Sequence, residues 1–185
     1  MSLTPSKMMP LGTHAPDFTL LDTVSGKHLS LSELKSDKAT VIMFICNHCP
    51  FVLHIHSHLM TIARVYQAKG IKFIAISAND VSAYPEDAPH RMTDIAKVWR
   101  ISFPYLYDET QEVAKAYDAA CTPDLYVFDK DLCCVYRGQF DSSRPGNSLP
   151  VTGKDLSDAL DAVLVGTAVN PDQKPSVGCN IKWKA

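Results

Sequence analysis

Two cysteines stand three apart in the stretch FICNHCPFV, residues 44–52, with His48 between them and Pro50 directly after the second. Cys46 and Cys49 at this spacing admit three chemistries: a redox dithiol, a single peroxide-reducing thiol with a bystander, or half of a metal site. A strand ending at Cys46 and a helix starting at Cys49 would favour the thiol chemistries. The unsatisfied N–H groups and positive dipole end of a helix stabilise a thiolate there. One helical turn would bring the two sulfurs within bonding distance. A positive His48 would favour the thiolate further and make the disulfide more oxidising.

The flanking residues supply those elements. ATVIMFIC (39–46) is a continuous apolar run bounded by polar residues, the pattern of a central strand buried on both faces. Val52, Ile55, Leu59, Ile62, Ala63 and Tyr66 recur at helical period over residues 51–68, and Gly70 ends that helix. IKFIAIS (71–77) reads as a second buried strand, parallel to the first if the helix is a crossover. Upstream, residues 15–34 read as two short strands around a turn at Ser25 and Gly26, then a short helix capped by Ser32. Downstream come a turn-rich loop (79–90), a helix over 90–100, a strand in FPYLYD, and a short helix in ETQEVAKAYDAA. Two more strands form a hairpin around Lys130 and Asp131, and KDLSDALDAVLVG forms the last helix. This order predicts one α/β domain over 1–185, with a mixed central sheet, an N-terminal β-hairpin extension, a core over about 12–165 and a C-terminal tail over 166–185 laid on the domain.

The 185 residues are 46% hydrophobic with a net charge of −2, so no basic surface points to nucleic acid or anionic lipid. No apolar run is long enough to span a bilayer, and the N-terminal stretch lacks the apolar segment of a secretory signal. Six cysteines in a chain with this much core do not make a disulfide scaffold. A reducing, cytoplasmic setting is expected, where cysteines serve catalysis or metal binding.

APDFTLLD, the strand–CxxC–helix unit and TPDLYVFD together resemble the thioredoxin fold, in its redoxin branch of peroxiredoxin-like proteins, over residues 12–164. ICNHCPFV, CTPDLYVFD, YRGQFDSSRPG and GCNIKWK look like a bacterial thioredoxin-like family of the alkyl-hydroperoxide-reductase/thiol-specific-antioxidant (AhpC/TSA) type. In peroxiredoxins the peroxide-reducing cysteine precedes a proline, which would be Cys49 before Pro50. Their motif also places a threonine or serine three residues earlier and a proline seven earlier, where this chain has Cys46 and Ile42. At the position of their active-site arginine it offers Pro123.

Pro123 resembles instead the cis-proline of thioredoxins, which would expose the Thr122 backbone for strand-like pairing with a substrate polypeptide. The resemblance therefore implies a thiol–disulfide oxidoreductase needing no cofactor. In it Cys46, nearer the surface, attacks as thiolate and Cys49, more buried, resolves the mixed disulfide. The buried acid that many relatives keep beneath the pair is matched here by Thr40, so that helper is absent or comes from elsewhere. Expected partners are a protein or small-molecule disulfide or thiol, or a peroxide, with a thioredoxin- or glutathione-type electron donor.

Cys121 and Cys179 are candidate additional redox thiols, Cys121 for its place two before Pro123 and Cys179 if the tail folds back over the site. Each has an equally plain reading as a buried apolar residue. Cys133 and Cys134 lie on a strand and face opposite ways. His54 and His58 share a helix face with Cys49 nearby, but the link is too short for a zinc finger, so no metal is expected. Glu86, Asp87, Arg91 and Arg144 read as charged loop residues near the site mouth.

Overall fold

β4 (Ala39–Phe44) is buried along its whole length because strands pair with both of its edges and apolar layers cover both of its faces. Side chains alternate across it: Val41 and Met43 enter one core, Ile42 and Phe44 the other. The computed structural model describes residues 3–185; residues 1–2, where the expected domain begins, lie outside the described residues. Around β4 the chain lays down a mixed seven-stranded sheet in the order β3–β2–β6–β5–β4–β8–β9. Its other members are β2 (Thr19–Asp22), β3 (His28–Ser30), β5 (Lys72–Ser77), β6 (Tyr105–Tyr107), β8 (Asp124–Asp129) and β9 (Cys134–Gly138). β4, β5 and β6 run parallel, as a crossover helix requires, and the remaining pairings are antiparallel.

Helices cover both faces. α2 (Pro50–Ala68), α3 (Pro89–Val98) and α5 (Lys154–Val165) bury Val52, Leu59, Met92 and Leu160 in one core. The short α1 (Leu31–Leu34) and α4 (Glu112–Ala116) bury Leu31 and Ala114 in the other. This is the mixed, helix-flanked sheet of a thioredoxin-like fold, with the N-terminal hairpin β2–β3 on its edge. The cap of α1 is Ser30, which forms a capping box with Glu33, and not Ser32 as the sequence suggested. The reason is local: only Ser30 has a glutamate at the third helical position to close the box.

A second, three-stranded sheet was not legible in the sequence. β1 (Leu3–Pro5) and β7 (Cys121–Thr122) flank β10 (Val177–Asn180), both antiparallel to it. The tail is thus a strand of a small sheet, built onto the loop that carries Pro123. No helix among the described residues is long and apolar enough to cross a membrane.

Candidate active site

The ladder of β4 continues one residue past the strand, where the Ile45 N–H donates to Ile76 O at 3.0 Å, and it delivers Cys46 to the sheet's end. Cys49 is the N-cap of α2 and Pro50 its first helical residue, a position where a missing N–H costs nothing. Both sulfurs meet there, as the spacing predicts. The two thiols interact with each other, the Val52 backbone N–H one turn into α2 reaches the Cys49 sulfur, and the Cys49 thiol, while it keeps its proton, donates to the Thr122 carbonyl.

The Thr122–Pro123 peptide is cis, as the resemblance implies, and Thr122 faces the pair from the opposite side. Its hydroxyl stands 3.6 Å from Cys46 Sγ and its carbonyl oxygen 3.1 Å from Cys49 Sγ. Cys179, carried in by β10, completes the cluster with its Sγ 2.9 Å from that of Cys49. The Thr122 backbone is not open for an incoming polypeptide, because Cys179 is already its antiparallel partner. The sequence-based expectation of an exposed groove is corrected on that point.

The difference in access expected between the two cysteines is also absent: Cys46 is 1% exposed and Cys49 0%. Charge distinguishes them instead. Cys49 is held well below the ordinary thiol range, first by the Cys46 thiol donating to it, then by Cys179, Thr122 and the Val52 N–H, against the opposing effect of burial. Cys46 is pushed up, first by that same shared proton, then by burial and by the Asp87 charge. The surroundings therefore favour the thiolate of Cys49, at the helix N-terminus, over that of Cys46.

A buried acid, Asp87, lies beside the pair, where Thr40 offers none. It lies in the 3₁₀ turn Pro85–Asp87, is 0% exposed, and accepts the Asn47 N–H at 2.8 Å and the Asn79 amide at 2.7 Å. His48 Nδ1 approaches its other side at 2.7 Å, off the hydrogen-bonding axis, so the contact is an ion pair and leaves that nitrogen without a hydrogen bond. The imidazole stacks on Tyr84 with ring centroids 5.6 Å apart, and Lys182 of the tail lies over the same tyrosine. Asp87 is the main reason the His48 pKa is raised, and burial works against it.

Asp87→Asn is accordingly expected to lower the His48 titration midpoint, followed by NMR. The support is removed while the burial that disfavours imidazolium stays. An unmoved midpoint would assign the charge to Glu86, whose carboxylate is 3.9 Å away.

Cys46 Sγ, a His48 ring nitrogen and an Asp87 oxygen lie within 4.8 Å of one another, three donors that could meet a small divalent ion. His54 and His58 join no such group among the described residues; His54 Nε2 is 2.7 Å from Ser143 Oγ. Cys121 is buried, and its sulfur faces the carbonyls of Pro123 and Ser176, with burial pushing its pKa up. Of the two candidate additional thiols, the fold brings Cys179 to the pair. Cys134, the first residue of β9, is buried, and Cys133 stands half-exposed just before the strand in an isolated bridge to His14, so the expectation that both lie on the strand is corrected. Arg144 is held by Asp141, Ser143 and Gln139, while Arg91 lines a cavity beside His48. Asn47, Asn79, Tyr84 and Tyr105 carried no sequence signal for the site. Each acts through packing or hydrogen bonds, as when the Tyr105 hydroxyl donates to Asn47 Oδ1 at 3.0 Å.

The AhpC/TSA family profile matches residues 11–137. No curated protein matches the chain. Among solved structures, an uncharacterized conserved protein from Geobacillus kaustophilus is 58% identical, covers 100% of this chain and 97% of its own, and superposes with a TM-score of 0.98. A hypothetical protein from Sinorhizobium meliloti 1021 is 47% identical over 98% of this chain and 99% of its own, with a TM-score of 0.96. A peroxidoxin from Mycobacterium tuberculosis shares the fold at 20% identity, covering 86% of this chain and 98% of its own with a TM-score of 0.63.

Proposed function

The chain belongs to the AhpC/TSA family, and we propose that it works as a thiol–disulfide oxidoreductase, cycling Cys46 and Cys49 between dithiol and disulfide. The observation that carries this reading is placement: Cys49 caps α2, Cys46 ends the β4 ladder, and Thr122, before the cis proline, stands against both sulfurs. The Cys49 thiolate attacks a disulfide sulfur and expels one thiol. Cys46 then gives up its proton and displaces the second, leaving Cys46–Cys49 oxidised. This reverses the order expected from sequence, which rested on Cys46 being the more accessible. With access equal, the charge decides. His48 and Asp87 hold the loop between the two cysteines, and a thioredoxin- or glutathione-type thiol reduces the couple again.

One feature favours peroxide as a second oxidant: the reactive sulfur is the one before Pro50, where peroxide-reducing thiols of this family sit. Against it, among the described residues Arg64, Arg137 and Arg144 are engaged elsewhere, at Arg100, at Met9 and Gln173, and at Asp141, Ser143 and Gln139. Pro123 stands where peroxiredoxins place the arginine that polarises the O–O bond, and Arg91 lines the cavity beside His48, so the guanidinium a peroxide would need has to come from there.

The test is disulfide mapping on Cys179→Ser protein oxidised by one equivalent of glutathione disulfide. A Cys46–Cys49 linked peptide with two thiols released per chain is expected. Oxidised protein in which both cysteines still alkylate would end the dithiol reading. Peroxide consumption measured on the same protein ranks the two oxidants.

A further inference from the structure

The dithiol does not face an empty groove. Where a substrate strand would pair with the residue before Pro123, β10 of the same chain is paired, in a register that sets Cys179 opposite Thr122. The fit is specific. A Cβ on Gly178 would collide with the carbonyl carbon and oxygen of Thr122, so only glycine allows the strand to lie this close. On either side the tail is fastened: the Ser176 hydroxyl donates to Pro123 O, Ile181 N–H to Ala120 O at 3.1 Å, and Lys182 N–H to the Asn79 side chain at 2.8 Å. Cys179 Sγ arrives 2.9 Å from Cys49 Sγ, about 0.9 Å outside a disulfide bond length of about 2.05 Å.

From this geometry we infer that β10 is the dithiol's internal substrate strand and that Cys179 is a third exchange thiol, placed to form a disulfide with Cys49. The inference rests on the Cys46–Cys49 reading and deepens it. Cys49 thiolate attacks a small disulfide RSSR, forming the mixed disulfide and releasing RS⁻. Cys179 loses its proton to that thiolate and attacks the Cys49 sulfur, releasing the second RS⁻ and forming Cys49–Cys179. Two electrons have passed to RSSR, which leaves as one RSH and one RS⁻, the latter taking its proton from solvent. Cys46 can next attack the Cys49 sulfur, expelling Cys179 thiolate, which takes up the Cys46 proton, so the disulfide moves to Cys46–Cys49 without further oxidation.

The arrangement also sets the substrate class. A polypeptide needs the Thr122 edge that β10 fills, whereas a low-molecular-mass disulfide does not. A cavity of about 560 Å³ is lined by Asn47 and His48, the two residues between the cysteines in sequence, and by Glu86, His90, Arg91 and Ile95; neither cysteine lines it. That size suits a small molecule.

The test oxidises full-length Cys46→Ser protein with one equivalent of glutathione disulfide and maps the product. A Cys49–Cys179 linked peptide is expected, with no glutathione retained. In Cys46→Ser/Cys179→Ser the glutathione adduct on Cys49 should live longer by on the order of a hundredfold, the loss of an intramolecular thiol. Retained glutathione in Cys46→Ser, with no linked peptide, overturns the inference. If Cys46–Cys49 still forms in Cys179→Ser, the dithiol reading survives that failure; if it does not, the dithiol reading fails as well. Gly178→Ala gives a second, independent readout that leaves all three thiols in place. The displaced strand should cut the Cys49–Cys179 yield and raise the rate of insulin reduction relative to glutathione disulfide. An unchanged yield with an unchanged ratio would show that the strand neither presents Cys179 nor blocks the edge.

Discussion

Cys49→Ser is expected to slow the first thiol release from a small aromatic disulfide by on the order of 10⁴-fold or more, the scale of losing a nucleophile, while Cys46→Ser keeps that first release. The reason is where the charge sits. Cys49 caps α2, takes the Val52 N–H and receives the Cys46 thiol, so it is the thiolate that exists at neutral pH. Cys46 is buried beside Asp87 and keeps its proton. Removing Cys46 deletes one donor to Cys49 and leaves the helix terminus and Cys179 in place, so reactivity falls but is not lost. The pH profile follows with the same sign. Because the Cys49 pKa is depressed, its alkylation should persist well below the about 8.5 of a free thiol, and in Cys46→Ser the midpoint should rise toward that value. Stopped-flow release of the first thiol, with each single variant, measures both effects. A silent Cys46→Ser beside a Cys49→Ser that still releases the first thiol would return the attacking role to Cys46.

The parts of this site that the sequence made legible are those fixed by runs and periods. The buried run of β4 and the helical stripe from Val52 to Tyr66 are strong local patterns, and the CxxC falls at their junction. What stayed hidden depends on long-range placement. β10 is four residues, VGCN, with no alternation and a glycine at its second position. Its reason to be a strand is the Thr122 edge it covers, more than fifty residues away in sequence. Cys179, 130 residues from Cys49, reaches the pair only through that strand. Asp87 stands in a loop of charged and turn residues, and depth cannot be read from such a composition. It is buried because Asn47, Asn79 and His48 all converge on it. The strand below the pair carries Thr40, and the buried acid of this region stands on the loop beside it.

A second large effect concerns stability rather than turnover, and it arises at Asp124, the residue after the cis proline. This carboxyl is 0% exposed, with one oxygen accepting the Tyr126 hydroxyl at 3.1 Å and the other without a hydrogen-bond partner. Burial pushes its pKa up to about 7, and the hydrogen bond from Tyr126 opposes it. A carboxyl whose pKa is raised on folding contributes stability that is present below its unfolded value of about 3.9 and is lost as pH rises through the folded value. Between pH 4 and 8 the loss is on the order of 4 kcal/mol. Asp108, raised by burial, and His48, raised by Asp87, shift stability in the same direction, so the total pH dependence alone does not isolate Asp124. Asp124→Asn does, because an amide keeps an acceptor for Tyr126 and cannot ionise. Urea unfolding of both proteins should give nearly equal stabilities at about pH 3.5, below the unfolded value, and a variant more stable by several kcal/mol at pH 8. Parallel curves across that window would mean that Asp124 ionises in the fold at no cost, with its unpartnered oxygen solvated. The divergence, if measured, places a neutral carboxyl under the Thr122–Pro123 turn at the acid end of the range and a buried charge there at the alkaline end. The same β7 segment anchors the strand that brings Cys179 to Cys49. Tail anchoring should therefore weaken above pH 7 in the native protein and not in Asp124→Asn.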